Sequence, residues 1–179
     1  MPGKARDAKR SSMSTNAYQS LCELARERAL ISTTASVLGW DQETRIPSAA
    51  LEYRASQLAW LSGKAHDLAT SPSWLKALEQ AESDDSEDPV IAANLREFRH
   101  QFDRASKLPT ELVERDTRTS SRGKAAWVEA RGKSDFSIFA PALEDLLDIA
   151  RQKADLWGYD GEPYDALLEE YERGSSTAE

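Results

Sequence analysis

Apolar residues in this 179-residue chain return every three or four positions almost throughout, and no bounded run alternates apolar with polar. That period marks one face of an α-helix, whereas a half-buried strand needs a period of two. The chain is therefore expected to be all-α, an array of about six or seven helices without a sheet. Leu21, Leu24, Ile31, Ala35 and Leu38 mark a long first helix over residues 16–44, with Arg28 interrupting the stripe. Pro47 suits the first turn of a second helix, where its missing N–H costs nothing. Leu51, Ala55, Leu58, Leu61, Ala65 and Leu68 carry that helix to about residue 69. Ser71-Pro72 opens a short third helix through Trp74, Leu75 and Leu78. Asp88-Pro89 opens a fourth, with Ile91, Leu95, Phe98, Phe102 and Ala105 on its buried stripe and Arg96, Arg99, Asp103 and Lys107 on its wet side.

Leu108-Pro109-Thr110 makes a break before a fifth helix over residues 111–131. Residues 117–123 (TRTSSRG) are poor helix formers, which predicts a kink or interruption there. Phe139, Leu143, Leu146, Ala150, Ala154 and Trp157 define a sixth helix, with Pro141 in its first turn and Gly158 as its C-cap glycine. A last short helix holds Tyr164, Leu167, Leu168 and Tyr171. Residues 1–15 read as a flexible basic leader ahead of one helical domain, 16–179, and Met13 stands as a second candidate start.

Composition narrows the function classes. With 40% hydrophobic and 30% charged residues, the chain is globular rather than disordered. Asp and Glu number 31 against 23 Lys and Arg, a formal charge of -8 that repels nucleic acid and anionic lipid. The basic cluster Lys4, Arg6, Lys9 and Arg10 lies in the leader and reads as a solvated tail. Neither nucleic acid nor a membrane is an expected partner. No apolar run approaches the ~20 residues of a membrane span, and no apolar h-region follows the basic N-terminus. Cys22 stands alone, which points to a reducing compartment, the cytoplasm.

Few residues suggest chemistry. There is no phosphate loop, Cys pair, G-x-S-x-G or H-E-x-x-H. His100 shares three-residue steps with Glu97 and Asp103, so the three could hold a cation on one helix face. Surface ion pairing with the neighbouring arginines and Lys107 explains the same pattern. His66, beside Asp67 near a helix end, suits the macrodipole there. The acidic stretch at residues 81–88 (AESDDSED) lacks the glycine and spacing of a calcium loop and reads as solvated. Trp40-Asp41-Gln42-Glu43-Thr44 has two readings: a buried tryptophan before a solvated helix end, or a pocket wall offering an acid and an amide. No catalytic, cofactor-binding or metal-binding residue is assigned.

Taken in order, Leu38-Gly39-Trp40-Asp41-Gln42-Glu43-Thr44, Pro47, Arg54, Gln57-Leu58-Ala59 and Leu61 resemble the N-terminal signature of the thermostable carboxypeptidase Taq family. The resemblance continues through Leu108-Pro109-Thr110-Glu111-Leu112-Val113 and Trp127-Val128-Glu129-Ala130-Arg131. It then takes in Asp135-Phe136, Phe139, Pro141, Leu143, Tyr164-Asp165-Ala166-Leu167-Leu168, Tyr171-Glu172 and Gly174. Arg45-Ile46 before Pro47, and Arg173 before Gly174, depart from the family pattern. The resemblance implies a largely helical fold with a deep substrate groove. The family's members are longer zinc metallocarboxypeptidases, generally cytoplasmic homodimers, that trim peptide C-termini. It also implies that their H-E-x-x-H helix, third metal ligand and carboxylate-binding residues lie beyond Glu179.

Three expectations follow. The first is the N-terminal, groove-covering portion of such an enzyme, truncated and catalytically silent by itself, holding no zinc of its own. Its alternative is a stand-alone helical interaction protein that binds a partner helix or a full-length paralogue. A weaker third is an enzyme acting through the His100 cluster. Apolar groups on more than one helix side predict self-association or a complementary helical partner: Trp60 beside Leu58 and Leu61, Ile149 beside Leu146 and Ala150, and Trp127 with Val128.

Overall fold

In the computed structural model, backbone is described for residues 3–84 and 86–178, and side chains from Ala17 onward. The expected flexible leader falls outside the residues whose side chains are described. Among the described residues there is no strand; the chain is all-α, as its periodicity predicts. Its helices are α1 (Gly3–Thr44), α2 (Leu51–Ala69), α3 (Pro72–Ser83), α4 (Pro89–Ala105), α5 (Thr110–Lys133), α6 (Ala140–Trp157) and α7 (Pro163–Leu168). Short 3-10 turns at Ser48–Ala50 and Phe136–Ile138 precede α2 and α6. Pro47 caps the first of these turns rather than standing inside α2. No described helix is long and apolar enough to cross a membrane.

The chain forms two compact units, each made of two separate stretches of sequence. Unit 1 comprises Met1–Thr34 and Lys64–Ser106. Its core gathers Leu21 from α1, Trp74, Ala77, Leu78 and Ala81 from α3, and Leu95 from α4. Two local devices set α3 and α4. The Ser71 hydroxyl accepts from the Trp74 backbone N–H at 3.1 Å with Pro72 in the first turn. The Asp88 carboxylate accepts from the Val90 N–H at 2.8 Å ahead of Pro89. Each satisfies a backbone donor that the helix cannot. The Trp74 and Phe98 rings meet edge to face at 5.9 Å, a geometry that matches the positive rim of one to the negative face of the other.

Two sequence expectations are corrected in unit 1. α3 runs on to Ser83 with Ala81 buried, so the acidic loop is shorter than its composition suggests. Arg99 is not simply on a wet face: its guanidinium forks onto both Glu82 oxygens at 2.9 and 2.6 Å, which raises its pKa and ties α4 to α3. Opposite charge one helix away recruits a residue that the helical wheel assigns to solvent.

Unit 2 comprises Ala35–Gly63 and Lys107–Glu179. On α2 the leucine stripe flanks a deeper seam of small residues, Ala55, Ala59 and Gly63. A Cβ on Gly63 would collide with the Glu114 carboxylate of α5, so glycine there permits the approach. α5 runs unbroken through residues 117–123, against the interruption expected there. Its weak helix formers have structural duties instead. Thr117 bonds back to the Val113 carbonyl at 3.1 Å, Ser121 is buried, and Gly123 lies where an added Cβ would sit 3.2 Å from Leu146. Propensity is a weak prior, and tertiary packing overrides it here.

α6 starts at Ala140, after Phe139. Ile149, expected on an outer side, is 1% exposed and centres the buried stripe between Leu146 and Lys153, while Leu147 and Leu156 face outward. Ala154 and Trp157 form a small core with Ala166 of α7. The Lys107 ammonium donates to the Trp157 carbonyl at 2.7 Å, and Gly158 closes α6 with φ +81. Tyr171 lies outside α7 and, with Tyr164, is exposed; Ala166 is the helix's buried contact.

Candidate functional site

The cation candidate does not form. Among the described residues, no group of three or more His, Cys, Asp or Glu side chains is arranged to hold a metal ion. Asp103 instead faces Arg99 at 3.5 Å. His66 stands in the last turn of α2, and its Nε2 pairs with the Ala105 carbonyl at 3.0 Å, so that nitrogen donates. Three-residue spacing on one helix puts side chains on a common side but does not make them converge.

The end of α1 is the most organised polar region, and all of it lies in unit 2. Arg54 of α2 sits at the centre with its side chain 13% exposed. Its guanidinium donates to the Asp41 carboxylate at 2.7 Å, to the Leu38 carbonyl at 2.6 Å and to the Gln57 Oε1 at 3.0 Å. The Leu38 carbonyl belongs to the last turns of α1, where negative partial charge accumulates, so a cation is well placed there. Ser121 of α5 donates to the Gln42 Oε1 at 2.7 Å, and Lys124 lies 3.8 Å from Glu43. Arg122 forks onto Glu52 at 2.6 and 3.0 Å, and those bonds hold the Glu52 carboxyl below its ordinary range.

This geometry corrects the reading of Trp40-Asp41-Gln42-Glu43-Thr44 as a buried ring before a solvated end. Trp40 is 62% exposed, whereas Asp41 and Gln42 are engaged with other helices. Asp41 does line a recess of about 210 Å3 with Ile46, Pro47, Tyr53, Arg54 and Gln57, but its carboxylate is already bound by a guanidinium. The arrangement fastens the end of α1 and offers no reacting pair. Sequence reasoning placed Arg54 and Gln57 within the family resemblance without a role; Ser121 it took for part of a kink.

Gly39 is the odd member of this turn. It sits inside α1, and nothing lies within 4 Å of where its Cβ would be. A mid-helix glycine costs about 1 kcal/mol relative to alanine. Gly39→Ala is accordingly expected to stabilise this chain by about 0.5–1 kcal/mol, seen as a higher midpoint in thermal or urea unfolding.

Comparison with known proteins agrees with this architecture. The model of the carboxypeptidase Taq (M32) metallopeptidases matches residues 20–179. Thermostable carboxypeptidase 1 of Thermus thermophilus is 34% identical over 176 residues, which cover 91% of this chain and 34% of that protein. The solved structure of Pyrococcus furiosus carboxypeptidase superposes with a TM-score of 0.71 at 33% identity, over 90% of this chain and 32% of that one. The crystal structure of BsuCP gives a TM-score of 0.80 at 27% identity, over 93% and 33% respectively. The chain thus spans about a third of the length of the curated relatives it matches. With one family model running from α1 through α7 and the helices superposing on solved carboxypeptidases, the chain belongs to the carboxypeptidase Taq (M32) metallopeptidase family.

Proposed function

We propose that this chain is the N-terminal, groove-covering part of an M32 metallocarboxypeptidase and is without hydrolytic activity by itself. The observation that carries the reading is a mismatch of extent. The family match takes in nearly the whole chain, yet the chain amounts to a third of its relatives and its described residues bring no three metal ligands together. Zinc-dependent peptide hydrolysis needs at least three protein ligands with an open fourth position and a base beside the bound water. His66, bonded to the Ala105 carbonyl, does not fit that requirement. In this proposal the helices wall and cover the groove, and peptides are ligands only of the whole enzyme. A complementary helical polypeptide is the partner, and the lone Cys22 supports a cytoplasmic setting.

The test has two arms. The purified chain, dialysed against zinc or cobalt, is expected to retain no stoichiometric metal and to release no C-terminal amino acid from peptides. One tightly held ion per chain, with cleavage lost on His100→Ala, overturns the reading. The DNA beyond codon 179 is expected to encode H-E-x-x-H in the same or a shifted frame. Unrelated DNA there would favour a stand-alone interaction protein, whose exposed rings, Trp40, Tyr53 and Trp60, would serve a separate partner.

A further inference from the structure

α6 ends at Trp157 and α7 opens at Pro163, and the connection between them carries the sequence's only aspartate followed by glycine, Asp160-Gly161. No asparagine precedes glycine anywhere. Residues 158–162 are exposed and belong to no helix. Among the described residues, the Gly161 N–H meets no hydrogen-bond acceptor, and the Asp160 carboxylate meets neither a donor nor a cation. Other aspartates are placed differently. Asp116, Asp148 and Asp155 lie inside helices, where the next N–H is committed to the backbone ladder. Asp135 accepts from the Ser137 N–H at 3.0 Å, and Asp88 is followed by Pro89, which has no N–H.

We propose that Asp160 is a site of spontaneous isoaspartate formation, a covalent modification of the connection between α6 and α7. The Gly161 amide nitrogen attacks the carboxyl carbon of the Asp160 side chain. A C–N bond forms, the carboxyl C–OH bond breaks, and the hydroxyl leaves as water with the amide proton, closing a succinimide ring. Water then adds at either ring carbonyl. Opening at the former side-chain carbonyl restores aspartate. Opening at the α-carbonyl breaks the original peptide bond and leaves the chain running through the side-chain carbon, with no net change in mass. Glycine at position 161 favours ring closure, because no Cβ shields its nitrogen and its backbone freedom lets that nitrogen reach the carboxyl carbon. The fold leaves both reacting groups exposed and unbonded. The product has one extra backbone carbon between Trp157 and Ala166, which share the small core that joins α6 to α7. α7 is six residues long, too short to hold as a helix without that packing, so the modification loosens it.

The experiment incubates the folded chain at neutral pH and physiological temperature and locates isoaspartate by peptide mapping with electron-transfer fragmentation. An isoaspartyl methyltransferase with labelled S-adenosylmethionine gives a second count, since it moves a methyl group from the sulfonium to the new α-carboxylate. A synthetic peptide of residues 155–166 supplies the unrestrained rate. The folded chain is expected to convert residue 160 within about fivefold of the peptide, as befits an exposed connection outside any helix. A folded rate lower than that shows the connection to be held and overturns the proposal. Gly161→Ala is expected to cut the conversion about tenfold at an unchanged melting temperature. The substitution suits the fold: the added Cβ would meet Asp165 Oδ2 at 3.4 Å, an ordinary contact, and Gly161 is not among the positive-φ glycines. Asp160→Glu, which needs a larger ring, is expected to abolish the signal at this position and keeps the test open should the alanine variant misfold. Undiminished isoaspartate in either variant overturns the proposal. Metal retention and peptide cleavage are separate measurements, so this site can fail while the family reading stands.

Discussion

Trp74→Ala is expected to cost about 3–5 kcal/mol, the range for deleting a large aromatic side chain from a packed interior. Trp74 is 1% exposed, sits among Leu21, Leu78 and Leu95, and leans edge-on against Phe98. Whole domains are stable by only ~5–15 kcal/mol, so one substitution removes a large share of the margin. The readout is the urea midpoint followed by circular dichroism. Trp74→Phe is expected to behave very differently. The indole Nε1 is buried without a hydrogen-bond partner, a state that costs about 1–3 kcal/mol. Phenylalanine gives up some ring area but also removes that stranded N–H, so the two effects offset and the net change should stay within about 1 kcal/mol. A Phe variant as damaged as the Ala variant would show that the N–H is satisfied in solution.

Arg54→Ala is the second large effect, at about 2 kcal/mol. It removes the cation shared by the Asp41 carboxylate, the Leu38 carbonyl and the Gln57 amide oxygen. Hydrogen bonds to a charged group are each worth about 1.5–3 kcal/mol. Asp41 is 35% exposed and regains water, which keeps the total below that of a fully buried pair. Arg54→Lys is expected to recover less than half, because a single ammonium cannot reproduce the planar fork that serves three acceptors in fixed directions. A double-mutant cycle with Asp41→Asn isolates the pair, with an expected coupling of about 1 kcal/mol. Coupling indistinguishable from zero would mean that Arg54 acts through the Leu38 carbonyl and Gln57 rather than through Asp41.

The helices were legible wherever the chain carries local signals. Ser71-Pro72 and Asp88-Pro89 place a cap and a proline together, and the helices begin there. Interior packing was less legible, because it depends on neighbours distant in sequence. Nothing near Ala59 or Gly63 announces that small residues form the deepest seam of α2, nor does the triplet around Ile149 reveal which member faces inward. The stretch at residues 117–123 misled for a related reason: serine, threonine and glycine lower helix propensity but also fit close helix contacts and bond distant side chains. At the candidate site, Asp41 and Gln42 were visible as an acid and an amide. Their partners Arg54 and Ser121 come from other helices, and only the family resemblance flagged Arg54.

The interleaved make-up of the two units dictates when each can form on the ribosome. Unit 1 needs residues up to Ser106, yet its sequence is interrupted by 35–63, which belong to unit 2. Those residues emerge early and have no companions until Lys107 and beyond are translated. At ~5–20 residues per second, the end of α1 and the first half of α2 wait on the order of several seconds, with Tyr53 and Trp60 uncovered on the nascent chain. A translation pause just after Ser106 would prolong that wait, because unit 2 would still lack its larger stretch. An internal stretch, residues 35–63, is therefore the one that waits longest for its partners during synthesis.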